Sequence, residues 1–183
     1  RDLTKRALAL DRSKYEPYVA CFRPEGPRYS ELIAAGVPVL HIPVTSFRSW
    51  SGVRGAWVLW RHIRKHGILV LHAFDVPSVI FAAPIAWLLR VPAVITCQLS
   101  YRHLYRPWER KMLRITDRLA DCIVVNSEAV KRDLMETEGI EETRIVVSHN
   151  GVDGASFHAL PGNERRRKPC VAGASIVVGT VCA

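Results

Sequence analysis

The sequence predicts an α/β fold built on a Rossmann-like, doubly wound parallel sheet. Short apolar runs rich in Val and Ile alternate along the chain with segments of helical periodicity. Such alternation is typical of parallel sheets with right-handed crossovers. Most of the runs are apolar at consecutive positions, as expected for strands buried on both faces, whereas a half-exposed antiparallel strand would alternate apolar and polar residues.

Seven apolar runs along the chain are predicted to be strands. They are Tyr18–Phe22, Val37–Ile42, Ile68–Ala73, Ala93–Cys97, Cys122–Asn126, Ile145–Ser148 and Ile176–Cys182. We expect the third, fourth and fifth runs to lie near the centre of the sheet.

Helical periodicity fills the segments between these strands. Leu3, Ala7 and Leu10 recur at helical spacing at the start of the chain. A longer helix is predicted to begin near Pro107, with apolar side chains at positions 108, 112, 115 and 119. Another helix is predicted to follow Ser127, whose hydroxyl suits an N-cap.

The segment Ser46–Gly67 is predicted to be a basic helix with three tryptophans. Trp50, Trp57 and Trp60 fall close to one helical face, and much of the remaining surface carries Arg and Lys. A basic helix with Trp on one face is typical of membrane interfaces. A crossover helix that packs its Trp face on the sheet has the same pattern. We expect the second arrangement, with at least two of the three Trp side chains buried.

The ends of the chain predict a fragment of a longer protein. Residues 1–157 are predicted to form a first domain, residues 158–174 a polar linker, and residues 175–183 the first strand of a second domain. The chain opens in a helix, although domains of this class usually open with a strand. It closes on an apolar run that nothing follows. We therefore expect truncation at both ends, with the first strand preceding Arg1.

Composition and charge fit a globular protein with an anionic partner. The chain has 183 residues, of which 49% are hydrophobic and 23% charged, and this excludes a disordered or collagen-like protein. Its formal net charge is +9, and residues 1–70 hold 12 basic and 5 acidic side chains. Nucleic acid, anionic lipid or a phosphorylated substrate would suit such a surface. A solvated basic surface without a partner has the same composition.

Cysteine usage predicts a cytoplasmic protein. The five cysteines are odd in number and form no Cys-x-x-Cys pair. Four of them lie in apolar runs, where a free thiol acts as a small buried hydrophobe, and this pattern is typical of a reducing compartment. The longest apolar stretch without Asp, Glu, Lys or Arg is Val76–Leu89, which is shorter than the roughly 20 residues needed to cross a bilayer.

Polar residues collect directly after the predicted strands, where open parallel sheets bind ligands. They are His72, Asp75, Gln98, Ser100, Tyr101, Arg102, Asn126, Ser127, Asn150 and Asp153. Hydroxyls, amides, a histidine and carboxylates on one edge suit a polyhydroxylated ligand. Simpler alternatives stay open: His72 as a hydrogen-bonded histidine that closes a strand, and Asp75 or Ser127 as a helix cap. Asn150–Gly151 is also a common turn sequence.

Four segments resemble the N-terminal half of GT-B glycosyltransferases of family 4. They are CFRPEGPRYSELIAAGVPV (Cys21–Val39), LHAFD (Leu71–Asp75), VNSEAVKRDL (Val125–Leu134) and RIVVSHNGVD (Arg144–Asp153). The tail VVGTVCA (Val177–Ala183) resembles the first strand of that fold's C-terminal domain. The resemblance covers nearly the whole chain in the right order, and its most specific part is NSEAVKR followed by NGVD.

The resemblance implies two facing Rossmann-like domains, the first for the acceptor and the second for a nucleotide-sugar donor. It implies sugar transfer to a saccharide or lipid-linked acceptor, usually with retention, without metal or cofactor, and with the donor phosphate accepting the acceptor's proton. Such chemistry depends on positioning and electrostatic stabilisation. The sequence agrees, since it contains no nucleophile motif, no glycine-rich phosphate motif and no metal-ligand spacing.

Three groups of site residues are predicted within this frame. His72 and Asp75 are expected to be catalytic; Ser100, Tyr101, Arg102, Ser127 and Arg144 to bind the acceptor; and Asn150, Gly151 and Asp153 to lie on the donor side between the domains. Arg144 is included because a guanidinium pairs well with phosphate. Many members carry His-x-His at the third strand's end, and here Phe74 replaces the second His. Because the family's donor-phosphate residues would follow Ala183, the fragment alone is expected to be inactive.

Location and partners follow from the same resemblance and from the charge. We expect the protein to act at the cytoplasmic face of the plasma membrane. Its expected partners include an anionic membrane surface and exclude nucleic acid. Two other functions stay open. A sugar-nucleotide epimerase of the same fold would differ in the second half of the protein, where a characteristic pair of glutamates would favour transfer. A basic nucleic-acid module would show Arg and Lys clustered with exposed aromatic residues on one face.

Overall fold

The computed structural model describes residues 2–151, which adopt an α/β fold. Its elements in chain order are α1 (Asp2–Ala9), β1 (Val19–Cys21), α2 (Pro27–Ala34), β2 (Val39–His41), α3 (Trp50–His66), β3 (Val70–Ala73), α4 (Val76–Leu88), β4 (Ala93–Gln98), α5 (Pro107–Leu119), β5 (Cys122–Val125), α6 (Glu128–Glu138) and β6 (Ile145–Val147). Two 3₁₀ turns, Arg102–Leu104 and Glu142–Arg144, precede α5 and β6. Residues up to Asn150 form one compact unit.

Every strand pairing within residues 2–151 is parallel, which confirms the predicted fold class. Strands β1 and β2 pair in a two-stranded sheet, and a second sheet has the order β3-β4-β5-β6. The first six predicted strands are present, and β4 continues one residue further than expected, to Gln98. The seventh strand, Ile176–Cys182, lies outside the described residues, as do the predicted linker and the boundary after residue 157.

Strand β3 lies at an edge of its sheet rather than near the centre. It pairs with β4 from Val70–Ala93 to Ala73–Thr96, and no described strand pairs with its other edge. Leu69 and Val70 are exposed there. The central position expected for this strand is therefore wrong within residues 2–151, where only β4 and β5 have neighbours on both sides. The further strand expected before Arg1 stays a prediction.

Side-chain alternation divides the four-stranded sheet into two faces. On one face, Ala73 packs with residues of α4 and α5, while Ile123 and Ile145 form a buried cluster with residues of α6. His72 and Cys97 alternate with these positions, so they point to the opposite face. The predicted site residues are consequently distributed over two different environments.

Helix α3 packs through a face made of small and aliphatic residues. Its buried residues are Gly52, Gly55, Leu59 and Ile63. A Cβ atom on Gly55 would clash with the side chain of Val44, and one on Gly52 would lie 2.7 Å from the carbonyl oxygen of Phe47. Helix α3 therefore lies closer to the segment that contains Val44 and Phe47 than any residue other than glycine would permit at these two positions.

The expectation that at least two of the three α3 tryptophans are buried is wrong. The exposed fractions are 79% for Trp50, 54% for Trp57 and 42% for Trp60. Because the glycine face lies so close to its neighbours, an indole would not fit there, and the tryptophans point to the solvent side. Among the helices of residues 2–151, none is both long and apolar enough to cross a bilayer.

Candidate functional site

The loops that follow β3, β4, β5 and β6 meet at one edge of the sheet and form a polar rim (residues 74–75, 99–101, 126–127 and 148–150). Asn126 Nδ2 donates a hydrogen bond to the carbonyl oxygen of Leu99 at 3.2 Å. His149 Nδ1 lies 3.3 Å from the carbonyl oxygen of Asn126, and the Ser148 amide donates to Val125 at 2.8 Å. These contacts join three loops at the edge where the sequence predicts a ligand.

Two predicted site residues on the rim cap helices. Asp75 Oδ1 accepts a hydrogen bond from the Ser78 amide at 2.8 Å at the start of α4. Ser127 Oγ accepts from the Val130 amide at 3.3 Å at the start of α6. Each cap satisfies an amide that the first helical turn leaves unpaired. The capping alternative is thus correct for both residues, and it places both side chains on the rim.

His72 lies beside the rim, on the sheet face opposite α4, α5 and α6. Its Nε2 is 3.1 Å from Sγ of the buried Cys97. Its ring also stacks on Phe74, with 4.2 Å between the ring centroids and an interplanar angle of 28°. The thiol and the phenyl ring together fix the orientation of the half-buried imidazole.

Arg6 is not among the predicted site residues, and it reaches the same place from α1. Its Nη2 donates to Ser148 Oγ at 3.0 Å, and its Cζ lies 5.9 Å from the centroid of the Phe74 ring, within cation–π range. It therefore connects the loop after β3 with the loop after β6. Arg6 and Ser148 are 142 residues apart, so no local pattern in the sequence could have paired them.

Arg102 lies beneath the rim and is only 2% exposed. Its Nη2 contacts both carboxylate oxygens of Asp117, at 2.8 and 2.7 Å, and its Nε donates to Gln98 Oε1 at 3.2 Å. Gln98 in turn donates to the carbonyl oxygen of Ser100 at 2.5 Å. Burial raises the pKa of the Asp117 carboxyl, and the adjacent guanidinium of Arg102 opposes that rise. Arg102 thus supports the loop after β4 from inside, and its burial gives no support to the expectation that it binds the acceptor.

Arg144 lies at the amino ends of the strands, whereas the rim lies at their carboxyl ends. It belongs to the 3₁₀ turn before β6, and its Nη2 donates to the carbonyl oxygens of Asp117 and Ala120 at the end of α5. These contacts satisfy carbonyls at a helix C-terminus, where a cation is favoured. Its placement therefore gives no support to the expectation that Arg144 binds an anionic acceptor group.

Three further predicted residues, Ser100, Tyr101 and Asn150, lie on the rim. Tyr101 is exposed and lines a shallow concavity of about 260 Å³, whose other side is formed by residues of α6. Ser100 precedes it and is half-buried, while Asn150 and Gly151 are exposed. Asp153 lies outside the described residues. Within residues 2–151, no three His, Cys, Asp or Glu side chains are arranged to hold a metal ion.

Two solved structures have a similar fold. A glycosyltransferase from Rickettsia africae matches with a TM-score of 0.65 and 19% identity, over 90% of this chain and 42% of that one. The Anabaena protein Alr3699/HepE, in complex with UDP and glucose, matches with a TM-score of 0.68 and 17% identity, over 93% of this chain and 47% of that one. At this identity the likeness shows the fold, and the chain spans less than half the length of either structure.

A weaker likeness links the chain to a UDP-GlcNAc 2-epimerase from Methanocaldococcus jannaschii, with a TM-score of 0.49 and 20% identity over 60% of this chain and 30% of that one. That score supports no functional conclusion. Comparison with curated proteins finds no match. The sequence model of Glycosyltransferase Family 4 matches residues 4–155, a range that contains the whole rim, helix α6 and most of helix α1. The chain therefore belongs to glycosyltransferase family 4.

Proposed function

We propose that the protein containing this chain transfers a sugar from a nucleotide-sugar donor to a saccharide or lipid-linked acceptor. The match of the family over residues 4–155 is the observation that carries the proposal. The Anabaena structure of similar fold holds UDP and glucose, which supports a nucleotide sugar as the donor. In this proposal the chain forms the acceptor-binding half, and the donor-binding half follows it.

The rim is the proposed acceptor site. His72 and Asp75 contact the reacting part of the acceptor, while Ser100, Tyr101 and Ser127 hold its hydroxyl groups. We add Arg6 to this set, because its guanidinium lies over Phe74 and bonds to Ser148 at the rim. Arg102 is reassigned as a positioning residue beneath the loop after β4. Asn150, Gly151 and Asp153 keep their proposed place on the donor side.

The proposed transfer retains the anomeric configuration and needs neither metal nor cofactor. The acceptor hydroxyl forms the new bond to the anomeric carbon, the bond to the nucleotide breaks, and the donor phosphate takes the proton. The contribution of the chain is to hold the acceptor in reach, which can lower a barrier substantially without a protein nucleophile. The orientation of His72, held by Cys97 and Phe74, suits such a positioning role.

We further propose a role in cell-surface polysaccharide or glycolipid synthesis, on the inner face of the plasma membrane. The basic charge of residues 1–70 supports this location, because it would attract anionic headgroups.

The full-length protein should be incubated with a panel of nucleotide sugars and saccharide or lipid-linked acceptors. We expect release of nucleoside diphosphate that depends on the acceptor and is unchanged by a metal chelator, with the anomer of the product assigned by NMR. Isomerisation of a sugar nucleotide without transfer would instead favour the epimerase alternative. The 183-residue chain alone should release no nucleoside diphosphate.

A further inference from the structure

Helix α3 exposes a continuous apolar stripe on the side opposite its packed face. Trp50, Val53, Trp57 and Trp60 follow one another at spacings of three or four residues, and their exposed fractions lie between 42% and 79%. This spacing places them in one line along the helix. A helix packed on a protein core normally turns polar residues to the solvent. The stripe therefore has no explanation in the packing of residues 2–151.

Basic side chains flank the stripe. Arg54, Arg61, Arg64 and Lys65 are all exposed, and α3 contains no acidic residue. Arg61 Cζ lies 5.4 Å from the ring centroid of Trp57, so cationic and aromatic side chains share one surface. Exposed indoles beside guanidinium groups form a surface that is both apolar and positively charged.

The apolar surface continues from the stripe into a groove between α3 and α4. The groove has a volume of about 310 Å³, and Val53 belongs both to the stripe and to its lining. Phe47, Ile80, Pro84 and Ile85 contribute to its walls. All its lining residues are uncharged and apolar, so hydrocarbon fits it and a polar ligand would find no hydrogen-bond partner among these side chains.

We propose that this α3 surface docks the enzyme on an anionic lipid bilayer. The indoles of Trp50, Trp57 and Trp60 enter the headgroup region, where Trp is favoured, and the flanking Arg and Lys side chains contact lipid phosphates. The groove accommodates part of an acyl chain. The inference deepens the proposed membrane location by assigning the docking surface of the protein and its orientation on the bilayer. Only the purpose of docking rests on the proposed function.

Lipid explains the surface better than nucleic acid does. Clustered Arg residues with exposed aromatics on one face also match what a basic nucleic-acid module would show. However, such modules stack bases on aromatic side chains and track the backbone along a basic groove. Here the basic residues lie on the exposed side of α3 and line no groove of their own among residues 2–151, and the adjacent groove is apolar. Charge complementarity together with a continuous apolar area points to a bilayer of anionic phospholipid.

The test is co-sedimentation of the full-length protein with vesicles of phosphatidylcholine alone or mixed with phosphatidylglycerol. We expect binding to the mixed vesicles that salt weakens but does not abolish, because the inserted indoles are not screened. The variant with Trp50→Ala, Trp57→Ala and Trp60→Ala should bind about tenfold or more weakly, since interfacial binding scales with buried apolar area. The matched control carries Trp87→Ala and Trp108→Ala, two exposed tryptophans on α4 and α5, and should bind like the wild type.

A second set of variants tests the charges. Arg54→Gln, Arg61→Gln and Arg64→Gln together should remove most of the preference for phosphatidylglycerol, whereas Arg118→Gln, on the exposed side of α5, should not. Quenching of wild-type Trp fluorescence by lipids brominated near the headgroup provides a measurement that needs no variant. Circular dichroism should show equal folding of all variants, because the changed side chains are exposed.

Four results would overturn the inference. The first two are absence of vesicle binding by the wild type and binding of the triple Trp variant as strong as that of the wild type. The third is displacement of the protein from vesicles by a mixed-sequence oligonucleotide at equal phosphate concentration. The fourth is a stable dimer of the wild type without lipid that becomes monomeric in the triple Trp variant. Nucleoside diphosphate release with a soluble saccharide acceptor is measured in parallel. Loss of vesicle binding with retained release would reject the surface alone, and absence of release with intact vesicle binding would reject only the proposed sugar transfer.

Discussion

Two groups of polar residues follow adjacent strands of one sheet and end in opposite environments. After β4, Arg102 turns inward and pairs with Asp117 beneath α5. In β3, His72 points to the other face, where its ring stacks on Phe74 and Arg6 in turn lies over the Phe74 ring. A position at the end of a parallel strand decides only at which edge a residue lies. Side-chain alternation and the covering helices decide whether it supports the site or faces the ligand.

Breaking the buried pair should produce the largest effect on stability. Arg102→Met leaves the Asp117 carboxylate buried without its partner, which typically costs about 3–5 kcal/mol of unfolding free energy. Urea denaturation followed by circular dichroism measures the loss. Arg118→Met on the exposed side of α5 is the matched control and should change the free energy of unfolding little.

A double variant separates the ion pair from simple packing. Arg102→Met with Asp117→Leu removes both charges, so it should recover part of the stability lost by Arg102→Met alone. Equal stability of the wild type and Arg102→Met would contradict a supporting role beneath the loop after β4. In that case the two groups would no longer differ, and Arg102 would return to the candidates for acceptor binding.

His72→Ala should affect transfer more than folding. If the imidazole contacts the reacting acceptor, kcat/KM of the full-length enzyme should fall by about 100-fold, as for other groups that assist proton transfer or orient a nucleophile. The matched variant is Cys97→Ala, which removes the thiol 3.1 Å from Nε2 but keeps the imidazole. We expect this variant to lose less activity than His72→Ala, because the imidazole is still present and still stacks on Phe74. Equal losses in both variants would assign the His72–Cys97 pair to the fold rather than to the acceptor.

Local signals predicted much of the fold and only part of the site. Six of the seven predicted strands are present, because consecutive Val and Ile residues are specific for buried parallel strands. The capping alternatives for Asp75 and Ser127 could be read from the sequence, since each cap accepts from an amide three residues later. The pairs Arg102–Asp117 and Arg6–Ser148 could not, because tertiary structure alone brings their partners together.

The two faces of α3 show why hydrophobicity alone misled. Trp50, Trp57 and Trp60 are its largest apolar side chains, so burial was expected for them. Their size is the reason that they remain outside, since Gly52 and Gly55 bring the opposite face against its neighbours. The spacing of these glycines with Leu59 and Ile63 was visible in the sequence and identifies the packed face.

The Ser127 cap should produce a smaller effect, and it separates support from ligand contact at a single residue. Ser127→Ala should lower the free energy of unfolding by about 1 kcal/mol through loss of the bond to the Val130 amide. Ser127→Asn can still cap the helix and should keep most of that stability. If activity falls in both variants while stability falls only in the first, then Ser127 contacts the acceptor. If activity follows stability, its role is confined to the cap.

The smallest expected effect concerns Arg6, which connects the two ends of the rim. Arg6→Met keeps an aliphatic stem that can pack on α1 but loses the hydrogen bond to Ser148 and the cation–π contact with Phe74. Each contact is worth about 0.5–1 kcal/mol at a partly exposed site, so thermal and urea denaturation should show a small loss of stability. Lys5→Met, at the exposed neighbouring position, should show none.

A double-mutant cycle of Arg6→Met with Ser148→Ala should return a coupling energy of about 0.5 kcal/mol or more, as expected for side chains in direct contact. If Arg6 also contacts an acceptor, KM for that acceptor should rise in Arg6→Met and stay unchanged in Ser148→Ala, which leaves the guanidinium in place. A coupling energy of zero would mean that α1 does not hold Arg6 over the rim, and the contrast between the residues around His72 and the buried group around Arg102 would then rest on His72 and Phe74 alone.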